Sequence, residues 1–366
     1  MNETTTLAKT GTSMSLGPFS AKTRLLEMVV RRALVLLVLC IGCASPRPAE
    51  GPHIPLTPPT ELCADATLGP DSLCLPAQRL EPLLKTARIE VLQVKDPSSG
   101  IGGAKSLVVA LPEEQLTIKV KWKQSKHGGN GMNNMPRKEI AAYALQKLFL
   151  TPDEYVVPPT VGRCLQTNPV NGAPAEKDVT FDGVACVYGV LAYWIEHVTD
   201  EGVLDRQRLV SDAPYRASVA NMNLLTYLIN HRDTRPANFV ISKDPKSPRV
   251  FSIDNGLAFS GLRNPRQIFL HEWNYIVVPW LPRTQIERLR RVTRADLDKL
   301  SVVAQYRVRA DSLEEVLPTK PFLPDEGVRR SGDVLQFGLT TSEIDDIEER
   351  LTDLLARVDK GKIPLF

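Results

Sequence analysis

Aliphatic residues dominate three stretches between residues 88 and 124, and their arrangement predicts β-strands. The stretches read RIEVLQV, SLVVAL and LTIKVKWKQ, and in the third one hydrophobic residues alternate with lysines. Such alternation is typical of a strand with one buried face. The intervening segments KDPSSGIGG and PEE are short enough for hairpin connections. The pattern therefore predicts an antiparallel meander.

Helical spacing replaces this pattern in the rest of the chain. RKEIAAYALQKLFL carries apolar residues three and four positions apart, which predicts a helix. PYRASVANMNLLTYLIN, TQIERLRRV and SEIDDIEERLTDLLARV predict three more, and Thr340 with Glu343 forms a capping box for the last one. The predicted class is α+β, with a small β-rich part followed by a larger, mainly helical part.

The N-terminal region resembles an export signal. Two arginines precede an apolar run at residues 33–42, which is too short to span a bilayer, and a small residue precedes Cys43. This arrangement resembles a bacterial lipoprotein signal, in which Cys43 becomes the lipid-modified first residue. We assign residues 1–43 to the signal, with Met28 as the expected start, and the proline-crowded residues 44–85 to a stiff tether. A short buried helix or a plain membrane anchor is the alternative.

Four cysteines follow the signal, and they suit an oxidising compartment. Cys63, Cys74, Cys164 and Cys186 allow three pairings that the sequence does not separate. Pairing each cysteine with its neighbour along the chain, 63 with 74 and 164 with 186, is the most economical of the three. None of the four has the spacing of a zinc site.

Composition and charge limit the class of protein. With 366 residues, of which 43% are hydrophobic and 24% charged, the chain can bury one large or two modest cores. The net charge of +3 comes from 45 basic and 42 acidic residues. This balance is unlike the strong positive charge of nucleic-acid-binding domains, so no nucleic-acid partner is expected.

Candidate metal and acceptor groups lie in two polar segments that follow hydrophobic ones. In HRDTRPAN, Asp233 precedes Asn238 by five positions, and in VFSIDNGLAF, Asp254 follows a predicted strand. Phosphoryl transfer requires an aimed hydroxyl and held metal ions, but little covalent chemistry from the protein. Asp233 could orient the acceptor hydroxyl, while Asn238 and Asp254 supply the oxygen ligands that Mg²⁺ or Mn²⁺ prefers.

Candidate phosphate-binding groups lie in the predicted strands and the helix after them. Lys119, Lys121 and Lys123 share one face of a strand, so parity does not choose among them. One of them could bind phosphates while paired with Glu139 on the following helix. The turn SSGIGG could bring backbone N–H groups to phosphate oxygens, and its glycines are Gly100, Gly102 and Gly103.

These motifs carry a resemblance to protein kinases. HRDTRPAN resembles the catalytic loop HRDxxxxN, and the order glycine-rich turn, strand lysine, helix glutamate, HRD and Asp-x-Gly is the kinase order. EIAAYALQKLF, VPPTVGR, VACVYG and IDNGLAF look closer to the atypical secreted kinases of the Golgi casein-kinase and four-jointed family, which is related to phosphatidylinositol 3/4-kinase-like proteins. The resemblance spans roughly residues 86–275. It implies a two-lobed kinase-like fold, with lobes at residues 86–162 and 163–366.

The chain departs from both branches at three places. The secreted family has aromatic-Lys-Pro where this chain has WKQ, which favours Lys123, whereas the protein-kinase pattern IKVK favours Lys121. The secreted family usually lacks the HRD histidine, and it often has glutamate where Asn238 stands. An A-P-E motif does not follow Asp254. Substrate docking therefore cannot be inferred from ordinary kinases.

The resemblance implies an exported kinase that uses ATP and Mg²⁺ or Mn²⁺ to phosphorylate a hydroxyl on a protein, a sugar or a lipid headgroup. The expected location is the bacterial cell envelope, facing the periplasm through a lipid anchor. The outer membrane is slightly preferred, because Ala44 stands where an inner-membrane lipoprotein often has aspartate. The alternative is a pseudokinase that binds nucleotide or acts as a scaffold.

Overall fold

A computed structural model describes residues 62–63, 74–96, 103–131, 135–169, 172, 179–233, 235–245, 248–259 and 273–366. All of these belong to one compact unit. The unit mixes helices with antiparallel sheets, which confirms the α+β class. None of the helices in these ranges is long and apolar enough to cross a membrane.

A five-stranded antiparallel sheet contains the predicted meander. The strand order of this sheet is β3-β4-β5-β7-β6. Strands β1 and β2 form a separate two-stranded sheet. The strand bounds are β1 Leu62–Cys63, β2 Cys74–Leu75, β3 Glu90–Lys95, β4 Lys105–Leu111, β5 Leu116–Gln124, β6 Thr160–Leu165 and β7 Val187–Tyr193. The predicted boundary between the two lobes, between residues 162 and 163, falls inside β6. The sheet also includes β7, which ends at Tyr193 within the predicted second lobe.

The C-terminal part of the predicted tether is helical. Helix α1 spans Ala77–Thr86 and buries Leu80 and Leu84 against the five-stranded sheet. Proline density had argued against a helix here, but only Pro82 lies within these ten residues. The apolar face outweighs the cost of that proline, because burying a leucine side chain contributes about 1.5–3 kcal/mol.

Helices form the largest hydrophobic cluster, together with two strands of a three-stranded sheet. The helices are α2 Pro136–Gln146, α3 Arg206–Ser211, α4 Ala213–Leu228, α5 Arg283–Leu289, α6 Arg294–Asp298 and α7 Thr341–Asp359. The strands β8 Val198–Thr199, β9 Phe239–Ser242 and β10 Val250–Ser252 form a three-stranded sheet. Helix α4 is almost wholly buried, as its sequence predicts, and its first turn is capped by the Asp212 carboxylate. The predicted capping box of α7 is confirmed.

A second antiparallel sheet near the C-terminus was not predicted. Its strands are β11 Ala304–Val308, β12 Leu313–Glu315, β13 Val328–Ser331 and β14 Val334–Phe337, in the order β12-β11-β14-β13. It packs on β7, where the rings of Phe337 and Tyr188 are stacked 4.6 Å apart. The chain thus returns to the five-stranded sheet between α6 and α7.

The cysteines lie where neighbouring pairs can form. Cys164 in β6 and Cys186 just before β7 are at disulfide distance, with Cα atoms 5.5 Å apart, which confirms one predicted pair. Backbone pairing of β1 with β2 sets Cys63 opposite Cys74. The side chains of that second pair lie outside the described residues, so the bond between them stays a prediction.

Candidate active site

Strand β5 presents three lysines on one face, but they have different partners. Because side chains alternate along a strand, Ile118, Val120 and Trp122 point into the hydrophobic core and the lysines point the other way. The Lys119 ammonium contacts Glu196 at 3.0 Å and lies 4.7 Å from the Trp194 ring centre. Lys119 therefore has different partners from Lys121 and Lys123.

Lys121 and Lys123 meet two carboxylates in a buried ion cluster. Lys123 Nζ lies 3.2 Å from Glu139 Oε1 and 3.1 Å from Asp254 Oδ1. Lys121 Nζ lies 3.1 Å from Glu139 Oε2 and 3.5 Å from the same oxygen of Asp254. The side chains of Lys123 and Glu139 are 3% and 4% exposed, whereas that of Asp254 is 29% exposed. The cluster is therefore closed on the side of helix α2 and open at Asp254.

The electrostatics of the cluster keep Lys123 and Asp254 charged. Burial lowers the pKa of Lys123, but the carboxylates of Glu139 and Asp254 raise it more, and the net shift is upward. Burial raises the pKa of Asp254, but Lys121 and Lys123 lower it more, so its pKa lies well below the ordinary range. Two positive charges thus face two carboxylate groups in a place where an unpaired charge would be costly.

Asp254 reaches the cluster because of the backbone around it. It lies two residues after the end of β10, and Lys121 Nζ also donates to the carbonyl oxygen of Ile253 at 3.0 Å. A Cβ atom at Gly256 would lie 3.2 Å from Lys123 Nζ and 3.4 Å from Glu139 Oε1. These contacts are tight for a side chain, so glycine in IDNG allows the close approach.

The HRDTRPAN loop lies beside this strand end. Pro236 begins a 3-10 turn that ends at Asn238 and leads directly into β9. Asn238 Nδ2 donates to the carbonyl oxygen of Asp233 at 2.7 Å, and the Ile253 N–H donates to the carbonyl oxygen of Asn238 at 3.0 Å. The backbone therefore connects both predicted segments, although they are about sixteen residues apart in sequence.

Arg235 holds the carboxylate of Asp233. Its Nε and Nη2 atoms donate to Asp233 Oδ1 and Oδ2 at 2.7 Å and 2.6 Å, a bidentate pair. Hydrogen bonds that Arg235 donates to the Asp233 carboxylate, together with the charges of Asp233 and Asp254, raise the pKa of Arg235. Asp233 is 5% exposed, but the Arg235 side chain is 43% exposed, so the arginine can move into solvent.

The donor chemistry around Asp254 fits a small divalent cation. Asn238 uses its side-chain nitrogen on Asp233, which leaves the amide oxygen as its ligating group. Asp254 supplies a carboxylate that is partly exposed. Within the described ranges, no group of three or more His, Cys, Asp and Glu side chains is arranged for a metal. Mg²⁺ needs only one or two carboxylates when substrate phosphates complete its shell.

The remaining predicted residues are only partly described. Gly103 is exposed, has a φ of 70°, and lies two residues before β4. Because Lys105 pairs with Trp122, Gly103 is at the same end of the sheet as Lys123. Gly100, Gly102 and the lipidation candidate Cys43 lie outside the described residues.

Three further residues shape the site, and for the arginine among them the sequence left open whether it orders the loop or faces the substrate. Arg235 binds Asp233, Gly256 admits the ion cluster, and the buried His231 packs its ring 5.4 Å from that of Phe239. His231 also lowers the pKa of Asp254. The glycine was visible in the Asp-x-Gly pattern, whereas the arginine gave no signal that separated it from Arg232.

No family model matches the chain, and a search of curated proteins finds no match. The residues and geometry of the site are therefore the basis on which its function is inferred.

Proposed function

We propose that this chain is an atypical kinase with a two-lobed, kinase-like arrangement, which transfers the γ-phosphate of ATP to a hydroxyl group. The observation that carries the proposal is the meeting of Lys121, Lys123, Glu139 and Asp254 in one cluster. These residues come from a strand, a helix and a segment more than a hundred residues later. A salt bridge that served only the fold would not need a partly exposed aspartate at its edge.

The chain's own residues have separate tasks in this proposal. Lys123, with Lys121 beside it, binds phosphate oxygens, and Glu139 holds both ammonium groups in place. Asp254 and Asn238 would hold Mg²⁺ or Mn²⁺. The bound cation would neutralise charge on the β- and γ-phosphates. Gly103, with Gly100 and Gly102, would line the phosphates through backbone N–H groups.

Asp233 aims the acceptor hydroxyl in this proposal, and Arg235 covers its carboxylate in the structure. Both carboxylate oxygens of Asp233 accept hydrogen bonds from Arg235 in the structure. The acceptor hydroxyl would donate to one of these oxygens, and Arg235 would turn outward to make room. Asp233 would then take the hydroxyl proton as the phosphoryl group is transferred.

Radiolabelled ATP tests the proposal directly. The purified protein, with Mn²⁺ or Mg²⁺, is expected to phosphorylate itself or a generic hydroxyl acceptor, and Asp254→Asn should lower that rate by at least about 100-fold. Lys119→Ala is the matched control, because Lys119 lies on the same face of β5 but binds Glu196. Equal signal from wild type and Asp254→Asn would exclude the proposed roles.

A nucleotide-binding scaffold without transfer is the second candidate. The bidentate Arg235–Asp233 pair favours it, because Arg235 already occupies one acceptor site on each oxygen of Asp233 and leaves fewer for an incoming hydroxyl. Nucleotide would then raise the melting temperature of the wild type without any phosphotransfer. Phosphotransfer activity that appears in Arg235→Ala but not in the wild type would favour the kinase over the scaffold.

Membrane attachment is proposed from the signal alone. Lipidation at Cys43 would place the protein in the bacterial cell envelope, facing the periplasm, with the outer membrane slightly preferred. Metabolic labelling with a fatty acid should mark the wild type but not Cys43→Ser, and fractionation of the two membranes would locate it. Labelling of both would exclude Cys43 as the lipidated residue.

A further inference from the structure

Helix α2 begins with two buried basic residues immediately before Glu139. Arg137 and Lys138 are 7% and 3% exposed. The first turn of a helix has unpaired N–H groups and the positive end of the helix dipole, so it disfavours cations. Burial adds the cost of removing each charge from water. Two buried cations at this place therefore require a specific partner.

Glu343, in the first turn of α7, is that partner. Its Oε2 and Oε1 atoms lie 2.5 Å and 3.1 Å from the two terminal nitrogens of Arg137, in a bidentate arrangement. Its Oε1 atom also lies 3.2 Å from Lys138 Nζ. The carbonyl oxygen of Gly338 accepts a further hydrogen bond from Arg137 at 3.1 Å. We call Arg137, Lys138 and Glu343 the clamp.

The clamp is built on rigid supports. The Glu343 carboxylate closes the capping box with the Thr340 N–H at 3.0 Å, and α7 buries its apolar stripe in the main hydrophobic cluster. A side chain at Gly327 would overlap the Arg137 guanidinium, so the loop before β13 closes tightly over it. Burial raises the pKa of Glu343, but Arg137 and Lys138 lower it more. The carboxylate is therefore ionised at neutral pH.

The clamp and the ion cluster hold the same helical turn from two sides. Successive helical residues point about 100° apart, so Arg137, Lys138 and Glu139 face in different directions. The first two are held by α7, and the third by two lysines of β5. A turn held from only one side would be free to rotate or fray.

We infer that Glu343 is a positioning residue of the candidate site, which acts through Arg137 and Lys138 to direct Glu139 toward Lys121 and Lys123. The C-terminal helix is thereby coupled to the lysines that face phosphate. An effect of Glu343 on nucleotide binding rests on the proposed function. The contacts that join Glu343 to Arg137 and Lys138 do not, because they are observed in the structure.

Glu343→Gln in the full chain isolates the clamp. Glutamine keeps the size of the side chain and also forms capping boxes, so α7 retains its cap while the clamp loses its only carboxylate. Leu351→Ala is the matched control, because Leu351 is a buried residue of α7 that lies outside the clamp. Arg137→Lys keeps the charge but loses the bidentate geometry, and it replaces Glu343→Gln if that variant does not fold.

Three measurements apply to each variant. Hydrogen exchange reports on residues 136–146, acetylation followed by mass spectrometry reports on the reactivity of Lys121 and Lys123, and a fluorescent ATP analogue with Mn²⁺ reports on binding. For Glu343→Gln we expect faster exchange, greater labelling of both lysines and about tenfold weaker binding. For Leu351→Ala we expect a lower melting temperature without a change in these three readouts.

The outcomes separate this inference from the proposed function. If Glu343→Gln behaves like Leu351→Ala in exchange and labelling, the positioning role is wrong. If exchange and labelling respond as expected but the wild type binds no nucleotide, the positioning role stands and the proposed function fails. Weaker binding without any change in exchange or labelling would also contradict the inference, because Glu343 would then act by another route.

Discussion

Two ion clusters flank the first turn of α2, and they differ in their exposure to solvent. Around Glu139, two lysines face two carboxylates, and Asp254 is 29% exposed. In the clamp, two cations share the single carboxylate of Glu343, and each of the three side chains is at most 13% exposed. The open cluster has a charge that a ligand can reach, whereas the closed clamp can only hold the helix.

The comparison shows why counting charges is not enough to locate a site. Exposed ion pairs such as Arg309 with Glu314 contribute little, because water competes for both partners. Buried clusters are costly to break from either side. What distinguishes the candidate site from the clamp is therefore its one partly exposed carboxylate, and the predictions below test that distinction.

The largest effect is expected from Glu139→Ala. The change leaves Lys121 and Lys123 with Asp254 as their remaining carboxylate partner, so the free energy of unfolding should fall by about 4 kcal/mol. Nucleotide binding should be lost as well. Urea unfolding followed by tryptophan fluorescence measures the first effect.

Glu314→Ala is the control for this change. The Glu314 side chain is 50% exposed, and its loss should cost about 1 kcal/mol or less. Similar losses in the free energy of unfolding for Glu139→Ala and Glu314→Ala would show that the buried ion pairs stabilise the protein no more than an exposed one.

A smaller and unequal effect is expected from the two lysines. Lys123→Met should lower the free energy of unfolding by about 3 kcal/mol, because its side chain is 3% exposed and contacts both carboxylates closely. Lys121→Met should cost about 1 kcal/mol, because Lys121 is 13% exposed and Lys123 still binds Glu139. The same order is expected for nucleotide affinity. The reverse order would make Lys121 the main phosphate-binding residue.

The smallest effect is a dependence on pH that belongs to the clamp. The pKa of Glu343 is lower in the folded protein than its ordinary value, because Arg137 and Lys138 outweigh the effect of burial. A lowered folded pKa stabilises the protein above the unfolded pKa, and this stabilisation is lost as pH falls through the folded pKa. The difference in unfolding free energy between wild type and Glu343→Gln should therefore be constant near neutral pH.

Below the ordinary glutamate pKa of about 4.3, that difference should shrink. Urea titrations from neutral to acidic pH measure it. A difference that does not change with pH would mean that the Glu343 charge does not stabilise the clamp.

Local sequence patterns were sufficient to predict the helices and strands whose hydrophobic residues recur with a single period. The lysine-alternating stretch forms β5 with the predicted bounds, and α4 and α7 lie within a few residues of their predicted positions. Helix α1 and the C-terminal sheet were missed for physical reasons. Helix α1 buries Leu80 and Leu84 despite Pro82, and the strands of the C-terminal sheet have only three to five residues each, too few to show a period.

The candidate residues were also visible in sequence, but their partners were not. The motifs named Lys121, Lys123, Glu139 and Asp254, and all four meet. Neither the Arg235 contact with Asp233 nor the Glu343 contact with Arg137 could be predicted. The first depends on the conformation of a short loop, and the second joins residues 206 positions apart.

Local sequence is sufficient for the alternation that separates lysines from core residues on β5, for the helical stripe of α7 and for its capping box, because these depend on neighbours within a few positions. The choice of the lysines that meet Glu139 depends on the packing of the chain, since all three lysines share one strand face. Packing also decides that Glu343, a capping residue by its local pattern, binds the helix of the candidate site. Both choices depend on long-range packing, which brings together charges that no local spacing connects.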